Sequence, residues 1–198
     1  MYQVPQNITT PKIFIVQRSE IEGRLDAQYY NENIHIPNYI RLSSFASVKG
    51  GKRIPKGMTY SERKTSYQYL RVADMDNEND LSFETMKYID RNVFELLDRY
   101  EIKEGEFAIS IAGTVGKVCY ISHIPLGQRI ILTENCAKIL VKEKEKIDIK
   151  YLDVLFKMPF IQKQLETNYI QTTIPKLGID KILSIKFPLF PNIKGNKK

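Results

Sequence analysis

The stretch EFAISIAGTVGKVCYIS (residues 106–122) is the clearest indication of the fold of this chain. Two apolar runs, residues 106–112 and 117–122, flank the loop Gly-Thr-Val-Gly at 113–116. Runs rich in β-branched and aromatic residues on either side of glycines are typical of two antiparallel strands joined by a tight turn. The loop is not a phosphate-binding P-loop, because Ile111 replaces the first glycine of that motif and Val118 replaces its hydroxyl residue.

Similar runs recur along the chain and predict further strands. They are FASV (45–48), YQYLRVA (67–73), RIILT (129–133), CAKILV (136–141) and a last strand around SIKFPLF (184–190). Apolar residues at helical spacing predict a short helix in the segment 92–100, with Asn92 as its N-cap. Asp148 is predicted to cap a helix that ends near residue 157, and Pro159 to begin a second that ends near Asn168. The prediction is an α+β fold with a twisted, largely antiparallel sheet, a short mid-chain helix and a helix pair near the C-terminus.

The length of 198 residues indicates one domain with an arm. We expect an N-terminal arm at residues 1–35, with a short helix or turn at 19–31, one domain at 36–191 and a disordered tail at 192–198. No apolar run approaches the roughly 18 residues of a membrane-spanning helix, and no signal peptide is apparent. Two cysteines make no disulfide framework, so a cytoplasmic protein is expected. The lack of a spanning run means that no membrane partner is expected.

The net charge of +7 is distributed in blocks. Residues 41–71 carry eight basic groups and one acidic group, whereas residues 72–106 carry four basic and eleven acidic groups. Residues 107–198 carry fifteen basic and seven acidic groups. Dense basic blocks favour a polyanion as partner, and the alternative is an ordinary solvated basic surface.

Catalytic patterns are weak in this sequence. The pairs Glu62/Lys64 and Glu101/Lys103 have the Glu-x-Lys spacing of small Mg²⁺-dependent nucleases, which leaves a nuclease as one alternative. Cys119, His123 and Cys136 lack the paired short spacings of a structural zinc site, so we expect both cysteines to be core residues. No catalytic residue, metal or cofactor is predicted.

Three stretches in order carry a family resemblance. They are FASVKGGKRIPKG (45–57), IKEGEFAISIAGTVGKVCYI (102–121), and IDIKYLDVLFKMPFIQKQLE (147–166) followed by TTIPKLGIDKILSIKFPLF (172–190). Together they resemble the target-recognition domain of the DNA-specificity (S) subunit of type I restriction-modification systems. Glu106 stands where aspartate is usual in that family. The family's spacer helix has no counterpart after Pro191, so we expect a single recognition domain, whether a fragment or a half-subunit.

The resemblance implies a non-catalytic domain that binds double-stranded DNA and reads one half of a bipartite target. Methylation and cleavage would reside in separate subunits, which makes methyltransferase (modification) subunits and a restriction subunit the implied partners. A solitary half-subunit acting as a protein-interaction module is a further alternative.

Candidate DNA-binding residues lie in three segments of the chain. They are Lys49, Lys52, Arg53, Lys56, Arg63, Lys64 and Arg71 in the first basic block, Thr114 and Lys117 in the glycine loop, and Thr172, Thr173 and Lys176 around Pro175. Lysine and threonine suit phosphate contacts, whereas arginine can also make bidentate contacts to guanine. The alternative is that the glycines and prolines only shape connecting turns.

Overall fold

Residues 15–21, 38–75, 81–142, 147–168 and 176–188 are described by the computed structural model of the chain. Contacts divide the chain into two units, residues 1–35 and 36–198. In the first unit, Arg18–Glu20 forms a 3₁₀ turn in which the Ile21 N–H donates to the Arg18 carbonyl at 3.3 Å. Most of the predicted helix or turn at 19–31, and the predicted tail at 192–198, lie outside the described residues.

The second unit is built from short strands and helices. Its strands are β1 (Tyr39–Arg41), β2 (Ala46–Gly50), β3 (Tyr67–Leu70), β4 (Lys87–Tyr88), β5 (Glu101–Ile102), β6 (Phe107–Ser110), β7 (Val118–Tyr120), β8 (Arg129–Leu132), β9 (Cys136–Val141) and β10 (Lys186–Pro188). Its helices are α1 (Leu42–Phe45), α2 (Arg91–Leu97), α3 (Ile149–Lys157), α4 (Pro159–Asn168) and α5 (Ile179–Leu183). The predicted α+β class is confirmed.

The strands form three sheets. Sheet I has the order β2-β9-β6-β7, sheet II the order β4-β3-β8-β5, and β1 pairs with β10 separately. All described pairings are antiparallel except β3 with β8, which run parallel from Tyr67↔Arg129 to Leu70↔Leu132. A parallel pair needs a long crossover, and here residues 71–128 supply it.

Alternate residues of the inner strands face different cores, because side chains on a strand point to opposite faces. In β6, Phe107 and Ile109 pack with helices α3, α4 and α5, whereas Ala108 joins the core between the two four-stranded sheets. In β8, Ile130 and Leu132 face that middle core, and Ile131 packs with α2 on the far side. The unit is therefore layered as helices, sheet I, sheet II and helix α2, which explains why its strands read as continuous apolar runs.

The helix ends agree with the sequence at most positions. The Asp148 carboxylate accepts hydrogen bonds from the Lys150 and Tyr151 N–H groups at 2.9 and 3.2 Å, as expected of an N-cap. Pro159 begins α4, which ends at Asn168 as predicted. The predicted cap at Asn92 was wrong, since α2 begins at Arg91 and Asp90 precedes it.

The predicted strand at 67–73 ends early. The Arg71 N–H donates to the Asp74 carboxylate at 2.8 Å, and the Arg71 guanidinium donates to it at 2.7 and 3.0 Å. In return, the Asp74 N–H donates to the Arg71 carbonyl at 3.0 Å, and together these hydrogen bonds hold Val72–Asp74 in a 3₁₀ turn. A side chain three residues further on, rather than β-propensity, therefore ends β3 at Leu70.

Gly51 marks the point where the chain leaves sheet I and crosses sheet II. The Gly51 N–H donates to the Cys136 carbonyl at 2.8 Å, and the Lys52 N–H donates to the Leu132 carbonyl at 3.0 Å. A Cβ atom on Gly51 would collide with the Thr133 carbonyl oxygen and lie 2.5 Å from that of Leu132. Only glycine permits this approach of two backbones.

Replacing Leu155, which is buried in the helix-facing core, should lower the free energy of unfolding. We expect Leu155→Ala to cost about 2–5 kcal/mol through lost burial and a residual cavity. Denaturant unfolding measures this cost. Val154→Ala is the matched control, because Val154 on the same helix is 47% exposed. Equal midpoints for the two variants would contradict the packing of α3 described above.

Gly51→Ala should destabilise the protein by about 1–3 kcal/mol, because its methyl group must displace the backbone of β8. Gly50→Ala is the control, since a Cβ there meets only the Ile179 Cδ1 atom at 3.9 Å. Both changes reduce the entropy of the unfolded chain alike, so thermal unfolding of the pair isolates the steric effect. Equal melting temperatures would refute the close approach.

Candidate nucleic-acid interface

The strand directions bring several loops to one edge of the second unit. Gly50 pairs with Ala137 and Ser110 with Cys136 in sheet I, and Leu70 pairs with Leu132 in sheet II. The C-terminal ends of β2, β3, β6 and β8 therefore meet where β9 begins. We call this edge the loop end; it consists of residues 51–53, 71–75, 111–117, 133–135 and 176–178.

Backbone hydrogen bonds join these loops to one another. The Thr133 N–H donates to the Leu70 carbonyl at 3.1 Å, and the Ile111 N–H donates to the Asn135 carbonyl at 2.8 Å. The Leu177 N–H donates in turn to the Ile111 carbonyl at 2.9 Å, and Ala112 forms a β-bridge with Lys176. The glycine loop and the segment after Pro175 are thus neighbours, although about 60 residues separate them in the sequence.

A cleft of about 570 Å³ opens at the loop end. Its walls are the segments around residues 53–60, 71–73 and 133–135. Tyr60 and Tyr69 lie side by side in it, with ring centroids 5.9 Å apart. The Tyr69 hydroxyl donates to the Lys52 carbonyl at 2.7 Å, and burial raises the pKa of Tyr69 well above its ordinary value. The hydroxyl therefore stays protonated and holds the basic loop against sheet II.

Two arginines line the cleft, and each contacts a carboxylate. Arg53 Nε donates to Glu134 Oε1 at 2.6 Å, and the Arg53 side chain is 78% exposed. Arg71 Nη2 donates to both the buried Asp74 and the Thr85 carbonyl, at 2.7 and 2.8 Å. The hydrogen bond to Asp74 raises the pKa of Arg71. Arg71 is consequently held in one orientation, whereas Arg53 is held only by an exposed ion pair.

The first basic block is divided by the fold. Lys49, Lys52 and Lys56 are exposed, and Lys52 lies within the loop end. Arg63 and Lys64 are exposed beside the N-terminal end of β3, where Thr65 Oγ1 donates to the Ile89 carbonyl at 2.7 Å. The length of β3 therefore separates these two residues from Arg71.

The glycine loop places its two candidates differently. Thr114 is exposed between Gly113 and Gly116, both of which have positive φ, at 78° and 91°. Lys117 is partly buried, and its Nζ donates to the Met75 carbonyl at 2.7 Å, so it ties the glycine loop to the turn after β3. Lys176 is exposed, whereas Thr172 and Thr173 lie outside the described residues.

Sequence reasoning missed the turn Thr133–Asn135, which contributes Glu134 and Asn135 to the cleft. In the sequence it is a short polar link between two apolar runs. Its central position depends on the parallel pairing of β3 with β8, which joins segments that are remote in the chain. No local pattern signals that pairing.

Glu104 and Glu106 lie at the opposite end of sheet I from the loop end, whereas Glu101 lies on β5 of sheet II, opposite Ile131. Gly105 N–H donates to the Ile121 carbonyl at 2.8 Å, beyond the far ends of β6 and β7. Both Glu101 carboxylate oxygens accept hydrogen bonds from Arg129, at 2.7 and 2.8 Å, and this contact lowers the pKa of Glu101. The carboxylate of the Glu101/Lys103 pair is thus already engaged by a guanidinium.

The side chains of Cys119 and Cys136 are buried, and burial raises the pKa of the Cys136 thiol to about 12. Their burial agrees with the core role expected of them. Across the described ranges, no group of three or more His, Cys, Asp or Glu side chains could hold a metal ion. Nor does any helix in those ranges have the length and apolar character needed to cross a membrane.

Solved structures of restriction proteins share this fold. The S subunit of the type I restriction-modification system from M. genitalium matches with a TM-score of 0.51 and 15% identity over 78% of this chain and 35% of that one. A chain from a type I restriction-modification structure concerned with complex assembly and conformational transition matches with a TM-score of 0.57 and 13% identity, over 82% and 37%. The type IIG restriction endonuclease BpuSI matches with a TM-score of 0.57 and 14% identity, over 82% and 25%.

This chain spans only about a third of the two type I proteins and a quarter of BpuSI. At these identities the likeness establishes the fold. No curated protein matches the chain in sequence. The sequence model of the type I restriction modification DNA specificity domain, however, matches residues 38–198. This match confirms the resemblance carried by the three stretches, and the chain belongs to that family.

Proposed function

We propose that this chain binds double-stranded DNA in a sequence-specific manner through the loop end and reads one half of a bipartite target. The observation that carries the proposal is the convergence of Lys52, Arg53, Arg71, Thr114 and Lys176 at the loop end, where Arg53 and Arg71 line the cleft. Membership of a DNA specificity family supports it from the sequence side.

The contacts suggest a division of labour among these residues. Exposed lysines and the Thr114 hydroxyl are suited to phosphate oxygens, which position the protein on the duplex without reading its sequence. The same proposal includes further phosphate contacts from Lys49, Lys56, Arg63 and Lys64. Thr172 and Thr173 are proposed as phosphate contacts from the sequence alone. Arg71, oriented by Asp74, can offer its Nη1 donors to a base edge, because its Nε and Nη2 groups are engaged by Asp74 and the Thr85 carbonyl. Lys117 supports the surface through its bond to Met75.

Charge placement favours a single binding orientation. Glu104 and Glu106 lie at the far end of sheet I, away from a duplex held at the loop end, and Glu101 on β5 is paired with Arg129. Two described carboxylates lie at the loop end itself, and both are paired: Asp74 is buried against Arg71, and Glu134 contacts Arg53. The resulting polarity attracts DNA to one edge of the protein.

The catalytic steps of the system are proposed to reside elsewhere. The family is non-catalytic, and the chain corresponds to about a third of the related type I chains. We propose that it works with methyltransferase (modification) subunits and with a restriction subunit, and that it requires no cofactor of its own.

The logarithm of the DNA association constant should fall linearly with the logarithm of the salt concentration, with a slope of roughly −0.9 for each phosphate neutralised. Lys52→Ala and Lys176→Ala should each lower the affinity and reduce the slope by about 0.9. Fluorescence anisotropy with a duplex selected from random DNA measures both quantities. Lys103→Ala is the matched control, because it removes the same charge from the opposite end of sheet I.

A flat salt response, or equal losses in all three variants, would contradict binding at the loop end. Absence of DNA binding even at low salt would favour the alternative of a protein-interaction module.

Incubation with supercoiled plasmid and Mg²⁺ separates the proposal from a nuclease. We expect no nicking, because Glu101 is engaged by Arg129 and Glu62 belongs to no group of three or more metal-binding side chains among the described residues. Nicking that Glu101→Ala abolishes, measured on an agarose gel, would overturn the proposal.

A further inference from the structure

Glu134 is an unexpected charge for a surface that would bind a polyanion. Among the described residues that line the cleft it is the only carboxylate, and its side chain is 31% exposed. Its turn is held by hydrogen bonds from the Thr133 N–H to the Leu70 carbonyl and from the Cys136 N–H to the Thr133 carbonyl, at 3.1 and 3.0 Å. The carboxylate is therefore presented from a rigid part of the fold.

Glu134 is also hydrogen-bonded to Arg53, the more exposed of the two arginines that line the cleft. Its Oε1 atom accepts the 2.6 Å hydrogen bond from Arg53 Nε, while its Oε2 atom has no hydrogen-bond partner among the described residues. An exposed ion pair of this kind contributes little to stability. Its effect on binding is larger, because a carboxylate paired with Arg53 reduces the attraction of that arginine for phosphate.

A carboxylate near DNA repels the phosphates unless a donor on the nucleic acid satisfies it. In the major groove the bases offer only two kinds of donor, the exocyclic amino groups of cytosine N4 and adenine N6. A glutamate accepts most readily from cytosine N4, and an arginine binds guanine O6 and N7. An adjacent Arg–Glu pair therefore has the chemistry to contact both bases of one G·C pair.

We propose that Glu134 is a specificity-determining residue that accepts a hydrogen bond from the exocyclic amino group of one target base. In the free protein Glu134 pairs with Arg53, which weakens the binding of the chain to DNA of arbitrary sequence. On the correct sequence the amino group satisfies Glu134, and Arg53 becomes available to a phosphate or, where the base is cytosine, to the guanine paired with it. The proposal rests on the proposed function, since it assumes that DNA binds at the loop end.

Parallel selection of bound sites from random DNA, with the full chain and with Glu134→Gln, tests the base contact. The wild-type sites should contain one position restricted to cytosine or adenine, and Glu134→Gln should lose the restriction at that position alone. The ratio of affinities for the selected duplex and for a scrambled duplex should fall about tenfold. Glu95→Gln is the matched control, because it breaks another exposed Arg–Glu pair, with Arg91 Nε at 2.7 Å, on helix α2.

Salt titration on the scrambled duplex tests the competition for Arg53. Glu134→Gln should bind it several-fold more tightly and steepen the log–log slope by about 0.9, because a released Arg53 neutralises one more phosphate. In an Arg53→Ala background the same substitution should leave the slope unchanged.

The outcomes separate this inference from the function on which it rests. If the wild-type chain binds no DNA, the proposed function and the role of Glu134 both fail. If it binds DNA but Glu134→Gln keeps the selectivity of the wild type, or Glu95→Gln loses as much, only the role of Glu134 is refuted. A change of slope that persists without Arg53 would overturn the competition between Glu134 and the phosphates.

Discussion

The backbone hydrogen bonds of the turn Thr133–Asn135 are the constraint on which the loop end depends. This turn carries the chain from β8 in sheet II to β9 in sheet I, so it joins the two four-stranded sheets. The carbonyls at and around it accept from Lys52, Gly51 and Ile111, and the Thr133 N–H donates to Leu70. Three segments that are remote in sequence are thereby held by one short link, and the absence of a side chain at Gly51 is what lets the first of them approach.

Burial on both faces of the sheets makes that edge rigid. Sheet I is covered by helices on one face and by sheet II on the other, and sheet II is covered in turn by α2. Polar groups that face the cleft are consequently displayed from fixed backbone, and contacts such as Arg71–Asp74 and Tyr69–Lys52 restrict them further. A surface whose groups are ordered before binding loses less entropy when it binds, which favours discrimination among sequences.

Residue patterns anticipated the local elements well. Strands such as Cys136–Val141, the Asp148 cap and the Pro159 helix start follow from propensity and capping, which act within a few residues. Predictions that depended on particular side-chain contacts or on tertiary packing succeeded only in part. The extension of β3 to residue 73 was wrong because Asp74 captures Arg71, and the basic block that is continuous in sequence is separated in space, with Arg63 and Lys64 at the far end of β3.

Sequence by itself therefore determined the α+β class, the family, and the charge blocks and loops that point to DNA. These properties depend on composition, short-range periodicity and the order of motifs. Only the tertiary structure decided that the glycine loop adjoins Lys176, that Lys117 ties the loops together, and that Glu134 pairs with Arg53 in the cleft. The physical reason is that these contacts follow from the parallel pairing of β3 with β8 and from the packing of two sheets, which join residues whose separation along the chain carries no local signal.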